Sequence, residues 1–279
     1  MPVKIIVDST VDLPPDVREK VTAVVPLSIL FGDTEYKDGE TITAHQFYEM
    51  LVAGDTLPTT SQPTPAAFGD VYREATADGS EVVVITIASK LSGTYQSATI
   101  AAEEFPGKVF VVDSRSAAIG SGILTQYAIA LAEQGKNGRE ILQILMEKRK
   151  QIRLYAIVDT LEYLKKGGRL NATAAFVGGM LNLKPLICLE GGEIKTLGTA
   201  RGSKKAFSQL TAECGKYGGV DYGMPVLLGY TGGSDAQLRS YKEASGELWS
   251  EDTPATIVGP TIGVHAGPGA VAVGFFSKE

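Results

Sequence analysis

The sequence predicts an α/β protein, with a parallel, doubly wound sheet in its first half and an α+β unit with a mixed sheet in its second. Three observations carry that expectation. Strand-like apolar runs at 3–7, 82–87 and 108–112 alternate with amphipathic segments of helix length. The texture changes near residue 152, which sets expected units of 1–152 and 153–279. Within the second, "KPLICLEGGEIKTLGTA" has the form of an antiparallel hairpin turning at Gly191-Gly192.

Each element has its own local reason. Val3–Val7 reads as a buried strand, and Asp12 is placed to cap a helix entered through Pro14 and Pro15. Short strand-like runs occupy 21–36, and "KDGETIT" turns at Asp38-Gly39. Thr43 and Gln46 form a capping box that opens the helix "AHQFYEMLVAG". Pro58, Pro63 and Pro65 hold an extended loop before the next amphipathic helix. Ser92 is expected to cap the helix that follows the strand at 82–87, and helices over about 121–134 and 138–151 follow the strand at 108–112. Beyond 152 the reading continues with a strand ("LYAIVDT"), a helix stopped by two glycines ("LEYLKKGG") and a small-residue helix ("AAFVGGMLN"). After the hairpin come helices near 202–216 and 234–249 and strands at 255–258 and 270–276. The glycine-rich "GVHAGPGA" with His265 lies between those last strands.

Composition narrows the function. The chain has 279 residues, 44% of them apolar, enough for one large domain or two of ordinary size. Cys188 and Cys214 are too few and too far apart for a disulfide framework or a zinc cluster, and read as isolated buried thiols. No run approaches the ~18 apolar residues of a membrane span. The start "MPVKIIVDST" lacks the pattern of a secretory signal, so a soluble cytoplasmic protein is expected. A net charge of −6 argues against broad nucleic-acid binding. Residues 165–205 nevertheless hold eight basic side chains against Glu190 and Glu193. That window is either a solvated face or a surface that meets phosphate or an acidic partner.

The polar clusters stand at strand ends, where open α/β sheets bind ligands: Asp8-Ser9-Thr10, Thr59 to Gln62, Ser89 to Gly93, and Asp113-Ser114. Ser92 and Gly93 at a helix start suit a carboxylate or a phosphate, although an ordinary N-cap has the same residues. A G-x-S-x-G elbow, a P-loop and a G-x-G-x-x-G turn are all missing from the sequence, which speaks against an α/β-hydrolase and against a nucleotide site. With only His45 and His265 and two separated cysteines, no metal is expected.

Seven stretches, taken in order and spacing, resemble the DegV family: "DSTVDLP" (8–14), "TTSQPTPAAF" (59–68), "SKLSGTYQSA" (89–98), "VDSRSAAIGSG" (112–122), "LEYLKKGGRL" (161–170), "ARGSKKA" (200–206) and "GVHAGPGA" (263–270). The resemblance implies a Rossmann-like N-terminal domain, a mixed α/β C-terminal domain, and a long-chain fatty acid of roughly C14–C18 in a tunnel between them. It implies a carrier without its own nucleotide site or cofactor, which presents the acid's carboxylate to a separate fatty acid kinase and feeds phospholipid synthesis. By resemblance the carboxylate ligands fall on Thr60 or Ser61, Ser92, Gly93 and His265. Arg169 is then a nearby cation, and Arg201 lies on the kinase-facing surface. The basic window would serve the phosphate, the kinase or a transient contact with an anionic membrane. The rival expectation is an enzyme on the same scaffold, either an acyl hydrolase using Ser92 and His265 or a protein related to dihydroxyacetone kinases. A transcriptional regulator is disfavoured by the acidic charge.

Overall fold

The computed structural model describes residues 3–170 and 182–279. The first half runs β1 (Val3–Asp8), α1 (Pro15–Arg18), β2 (Ala23–Val25), β3 (Ser28–Phe31), β4 (Thr34–Lys37), α2 (Ala44–Ala53), β5 (Thr59–Ser61), α3 (Pro65–Thr76), β6 (Glu81–Thr86), α4 (Thr94–Ala102), β7 (Val109–Asp113), α5 (Ala118–Glu133) and α6 (Gly138–Lys148). The second half runs β8 (Ile152–Ile157), α7 (Glu162–Lys166), β9 (Leu183–Glu190), β10 (Glu193–Arg201), α8 (Ser203–Cys214), β11 (Leu227–Tyr230), α9 (Ala236–Ala244), β12 (Ala255–Ile257), α10 (Pro260–Ala266) and β13 (Val271–Phe276).

Among the described residues the strands form three sheets. One is parallel, in the order β2-β1-β6-β7. Its central strand β6 is β-branched almost throughout because both faces are covered. Val83 and Ile85 pack in the cluster that holds α5, while Val82 and Val84 pack against residues of α3 and α4. The second sheet is mixed, in the order β10-β9-β8-β13-β11-β12, and the third is the small antiparallel β4-β3-β5. In the mixed sheet the alternation separates two faces. Tyr155, Ile157, Val271 and Phe275 cluster with residues of α8 and α9, whereas Leu154, Ala156 and Ala272 cluster with residues of α5. Helix α5 therefore lies between two sheets, and its near-uniform apolar composition is what such a position requires.

The predicted fold class holds: an α/β protein with a parallel sheet and a mixed sheet. The capping box is present, with Thr43 accepting from Gln46 N and Gln46 Oε1 accepting from Thr43 N. The hairpin turns where expected, β9 pairing with β10 across Gly191-Gly192.

Several local expectations give way. Asp12 caps nothing on α1, whose N-cap is Pro14; its carboxylate is drawn into the interior by a distant backbone donor. Helix α5 starts at Ala118, α6 ends at Lys148 and α9 ends at Ala244, the last two continuing only as single 3-10 turns. The TTSQP loop contributes strand β5 to the small sheet. The largest miss is "GVHAGPGA", read as a connection, because residues 260–266 form α10. Pro260 at its first position and Gly267 at positive φ just beyond its end bracket the helix. It is too short for a periodic signal. The expected helix "AAFVGGMLN" lies, but for Asn182, outside the described residues.

Candidate functional site

A cavity opens where the parallel sheet's carboxyl-end loops meet the mixed sheet. Ile87, Leu91 and Ser92 after β6 and Ala117 and Ala118 after β7 line one side. Leu154 and Ala156 of β8, Ile187 and Leu189 of β9, and Ala272 of β13 line the other. Helix α10 closes it with Ile262, His265 and Ala266. The wall is mostly aliphatic, the chemistry expected of a site that encloses an apolar ligand.

At one end the wall turns polar. Thr60 Oγ1 and His265 Nε2 share a hydrogen bond of 3.1 Å, although they stand 205 residues apart. Strand β5 places Thr60 by alternation. Thr60 pairs with fully buried Ile29 on β3, while its neighbours Thr59 and Ser61 are exposed. His265 Nδ1 is buried and, among the described residues, without a partner. A Cβ added at Gly167 would lie 2.1 Å from it, so this glycine is what admits the ring. An orphaned lone pair costs less there than an orphaned N–H, which assigns the proton to Nε2 as donor to Thr60. Burial, and then the positive charge of Arg169, push the imidazole down to about 4, so it is neutral at pH 7.

Arg169 is the cation at this end. Its Nε donates to Leu91 O at 3.1 Å and its Nη1 to Gly167 O at 2.7 Å, tying the GGR stretch to the SKLSG loop. Among the described residues no carboxylate lies within ion-pair distance of it. Ser92 also lines the cavity. It stands one residue before the N-cap of α4, which is Gly93. Its Oγ accepts from Thr94 N at 3.3 Å and shares a hydrogen bond with Thr94 Oγ1 at 2.9 Å.

The structure thus gathers Thr60, Ser92, Arg169 and His265 at one cavity, leaves the expected ligands Ser61 and Gly93 off its wall, and has Arg201 outside it. Ser61 is exposed. Gly93 makes room for Gln62, whose Oε1 would be 2.0 Å from an added Cβ and whose Nε2 donates to Ser97 Oγ. Arg201 is exposed at the end of β10. A second hollow adjoins the cavity across Thr60, Arg169 and His265, and is bordered further by Tyr163 and Lys166. The polar end therefore has an outer side.

Sequence reasoning missed the support beneath α10. Asp12 Oδ1 accepts from Gly259 N at 2.8 Å and Asp38 Oδ2 from Thr261 N at 3.1 Å. Tyr48 donates to Val258 O at 2.9 Å. Asp8 stands beside this group, accepting from Thr10 N and Ile87 N at 2.8 Å each and from Thr10 Oγ1. Burial raises Asp8 to about 6 and lifts Asp12 and Asp38 above the usual carboxylate range. The signal available in the sequence was "KDGET", but it advertised only a turn.

The basic window is less bare than its count. Lys166 pairs with Glu162 at 2.7 Å, Lys195 with Glu190 at 2.6 Å, and Lys184 with Asp159. Arg201, Lys204 and Lys205 remain exposed, with no acid within ion-pair distance among the described residues. Also among the described residues, no helix is long and apolar enough to cross a membrane.

The profile of the DegV family matches residues 2–278. A DegV domain-containing protein from Deinococcus radiodurans is 36% identical over 274 residues, covering 98% of each chain. Among solved structures, a fatty-acid-binding DegV family protein from Thermus thermophilus is 35% identical with a TM-score of 0.87, covering 99% of this chain and 100% of its own. A stearic acid-binding protein from Eubacterium ventriosum is 29% identical with a TM-score of 0.85, covering 99% and 98%.

Proposed function

Because the chain belongs to the DegV family, we propose that it binds one long-chain fatty acid, roughly C14–C18, in the cavity, with the carboxylate at the polar end. The observation that carries this reading is the cavity's division of labour: an aliphatic interior ending at Thr60, Ser92, Arg169 and His265. About 14 buried methylenes at ~0.8 kcal/mol each supply on the order of 11 kcal/mol gross, before the costs of binding. A charged hydrogen bond adds only ~1.5–3 kcal/mol. The tail therefore supplies most of the affinity and the polar end sets the direction of the chain. Neutral His265 donates its Nε2–H to Thr60 Oγ1 and so leaves the Thr60 O–H to donate to the carboxylate, while Arg169 provides the positive charge.

In this proposal the protein is a cytoplasmic, two-domain carrier divided near 152/153, without a cofactor or a nucleotide site of its own. It presents the carboxylate to a fatty acid kinase and feeds phospholipid synthesis. The outer hollow supports presentation, since it reaches the same three residues from the solvent side. Arg201, Lys204 and Lys205, exposed and with no acid within ion-pair distance among the described residues, support an acidic or phosphate-bearing partner at the end of β10 and the start of α8, with a transient anionic membrane contact as the lesser use. A hydrolase would need Ser92 paired with His265. Instead His265 bonds Thr60 and Ser92 bonds Thr94, which favours the carrier.

Native mass spectrometry of the purified protein is expected to give a bound mass matching a C14–C18 acid at near one per chain. A protein that stays empty after incubation with palmitic and oleic acids would refute the reading. For the partner surface, Arg201→Ala is expected to leave fatty-acid affinity within about twofold while lowering acyl-phosphate formation by an added fatty acid kinase at least tenfold. An equal fall in both would make Arg201 a ligand residue.

A further inference from the structure

Helix α10 carries His265 to the cavity, yet the helix has little to hold itself. It is seven residues long and has no side-chain cap of its own. A helix of that length is not stable in isolation. Its first turn is held instead from the other half of the chain, by Asp12 on Gly259 N, 247 residues away in sequence, and by Asp38 on Thr261 N, 223 residues away. Gly259 faces both acids. A Cβ added there would lie 3.1 Å from Asp12 Oδ1, a tight contact, and 3.6 Å from Asp38 Oδ1, so both carboxyls stand against this turn. Both acids are buried, at 7% and 4% exposure.

We propose that Asp12 and Asp38 are positioning residues for the carboxylate end of the site: they grip the first turn of α10 and so set where His265 meets Thr60. The inference rests on the fatty-acid reading above. A carboxyl oxygen accepts from a backbone N–H directionally whether or not the group is ionised, which suits the two acids to fixing the helix along its axis. Thr261 and His265 are four residues apart, a rise of ~6 Å, so the short helix moves as one body. The tolerance at its far end is small. The 3.1 Å bond between Thr60 and His265 leaves the hydrogen-bonding range if the helix shifts by about half an ångström. Gly263 packs against Phe47 and Tyr48, and Gly267 against Tyr163, so the sides of α10 are close-fitting.

The test compares Asp38→Ala, Asp38→Asn and Asp38→Glu, with the same series at Asp12, at a temperature where each is folded by circular dichroism. Two quantities are read: palmitic acid affinity by titration, and the His265 imidazole NMR signals in the lipid-free protein. Asp38→Ala is expected to bind palmitic acid about tenfold more weakly and to shift the His265 signals. Asp38→Asn, whose amide oxygen still accepts from Thr261 N, should recover affinity to within about threefold. Asp38→Glu keeps the carboxyl acceptor but adds a methylene, and is expected to shift His265 as alanine does. This variant carries the test if the alanine variants do not fold. Folded variants with wild-type affinity and unshifted His265 signals would overturn the proposal, whatever their melting temperatures, as would asparagine failing as badly as alanine. The imidazole signals report on α10 without ligand. A wild-type protein that binds no palmitic acid therefore counts against the fatty-acid reading alone.

Discussion

Replacing Ala156 with phenylalanine is expected to give a protein at least as stable as the wild type that leaves purification without a fatty acid. Ala156 on β8 stands in register with Ala272 on β13, and both line the cavity. A phenyl ring at Ala156 therefore has an apolar cavity beside it to enter. Atoms around a void lack contacts on one side, so filling it restores dispersion and burial. The melting temperature should hold or rise by a few degrees. The same ring occupies the space proposed for the acyl tail. Affinity for palmitic acid should fall at least about a hundredfold, or ~2.7 kcal/mol. Native mass spectrometry and a thermal melt read the two effects separately. Lipid retained at wild-type occupancy would place the tail elsewhere, and a collapsed melting temperature would mean the ring does not enter the cavity.

The second large effect is on stability and carries a pH signature. Asp8→Ala strands the N–H groups of Thr10 and Ile87, both bonded to the fully buried Asp8 carboxylate. Each orphaned buried donor costs ~1–3 kcal/mol, so a loss on the order of 3 kcal/mol is expected at pH 7. The folded protein holds the Asp8 proton up to about pH 6, whereas the unfolded chain releases it near 4. A carboxyl raised in this way stabilises the fold fully below the unfolded value, and that stability is lost as pH rises through the folded one. The gap between wild type and Asp8→Ala should therefore be widest near pH 4 and narrow by roughly 2 kcal/mol toward pH 7. Urea denaturation at both pH values measures it. A gap that is flat, or that widens with rising pH, would show that Asp8 is not held protonated by burial.

Much of the fold was readable because it is written over short stretches. The β6 run of β-branched residues, the Thr43/Gln46 box and the Gly191-Gly192 turn each depend on residues within about four positions of one another. The polar end of the site was partly readable for the same reason, since Ser92 and Thr60 sit at strand ends where a ligand is expected. What failed were features whose cause lies far along the chain. Asp12 looked like a cap because Pro14 and Pro15 follow it, and nothing nearby announces Gly259 as its partner. Glycine-rich "GVHAGPGA" gave no helical period, and α10 exists because distant acids and α2 hold it. The charge of the 165–205 window was overcounted because Glu162 and Asp159, outside it, neutralise Lys166 and Lys184.

By itself the sequence determined the alternation of strands and helices, the residue types available to hold a carboxylate, and the family. Tertiary structure alone decided that Thr60 rather than Ser61 faces the cavity, that Gly93 yields its space to Gln62, and that His265 meets Thr60 neutral. The reason is physical. A helix or turn is stabilised by neighbours a few residues away, but a cavity is the space left where small side chains of separate elements fail to meet. The charge state of a group beside it depends on everything packed around it.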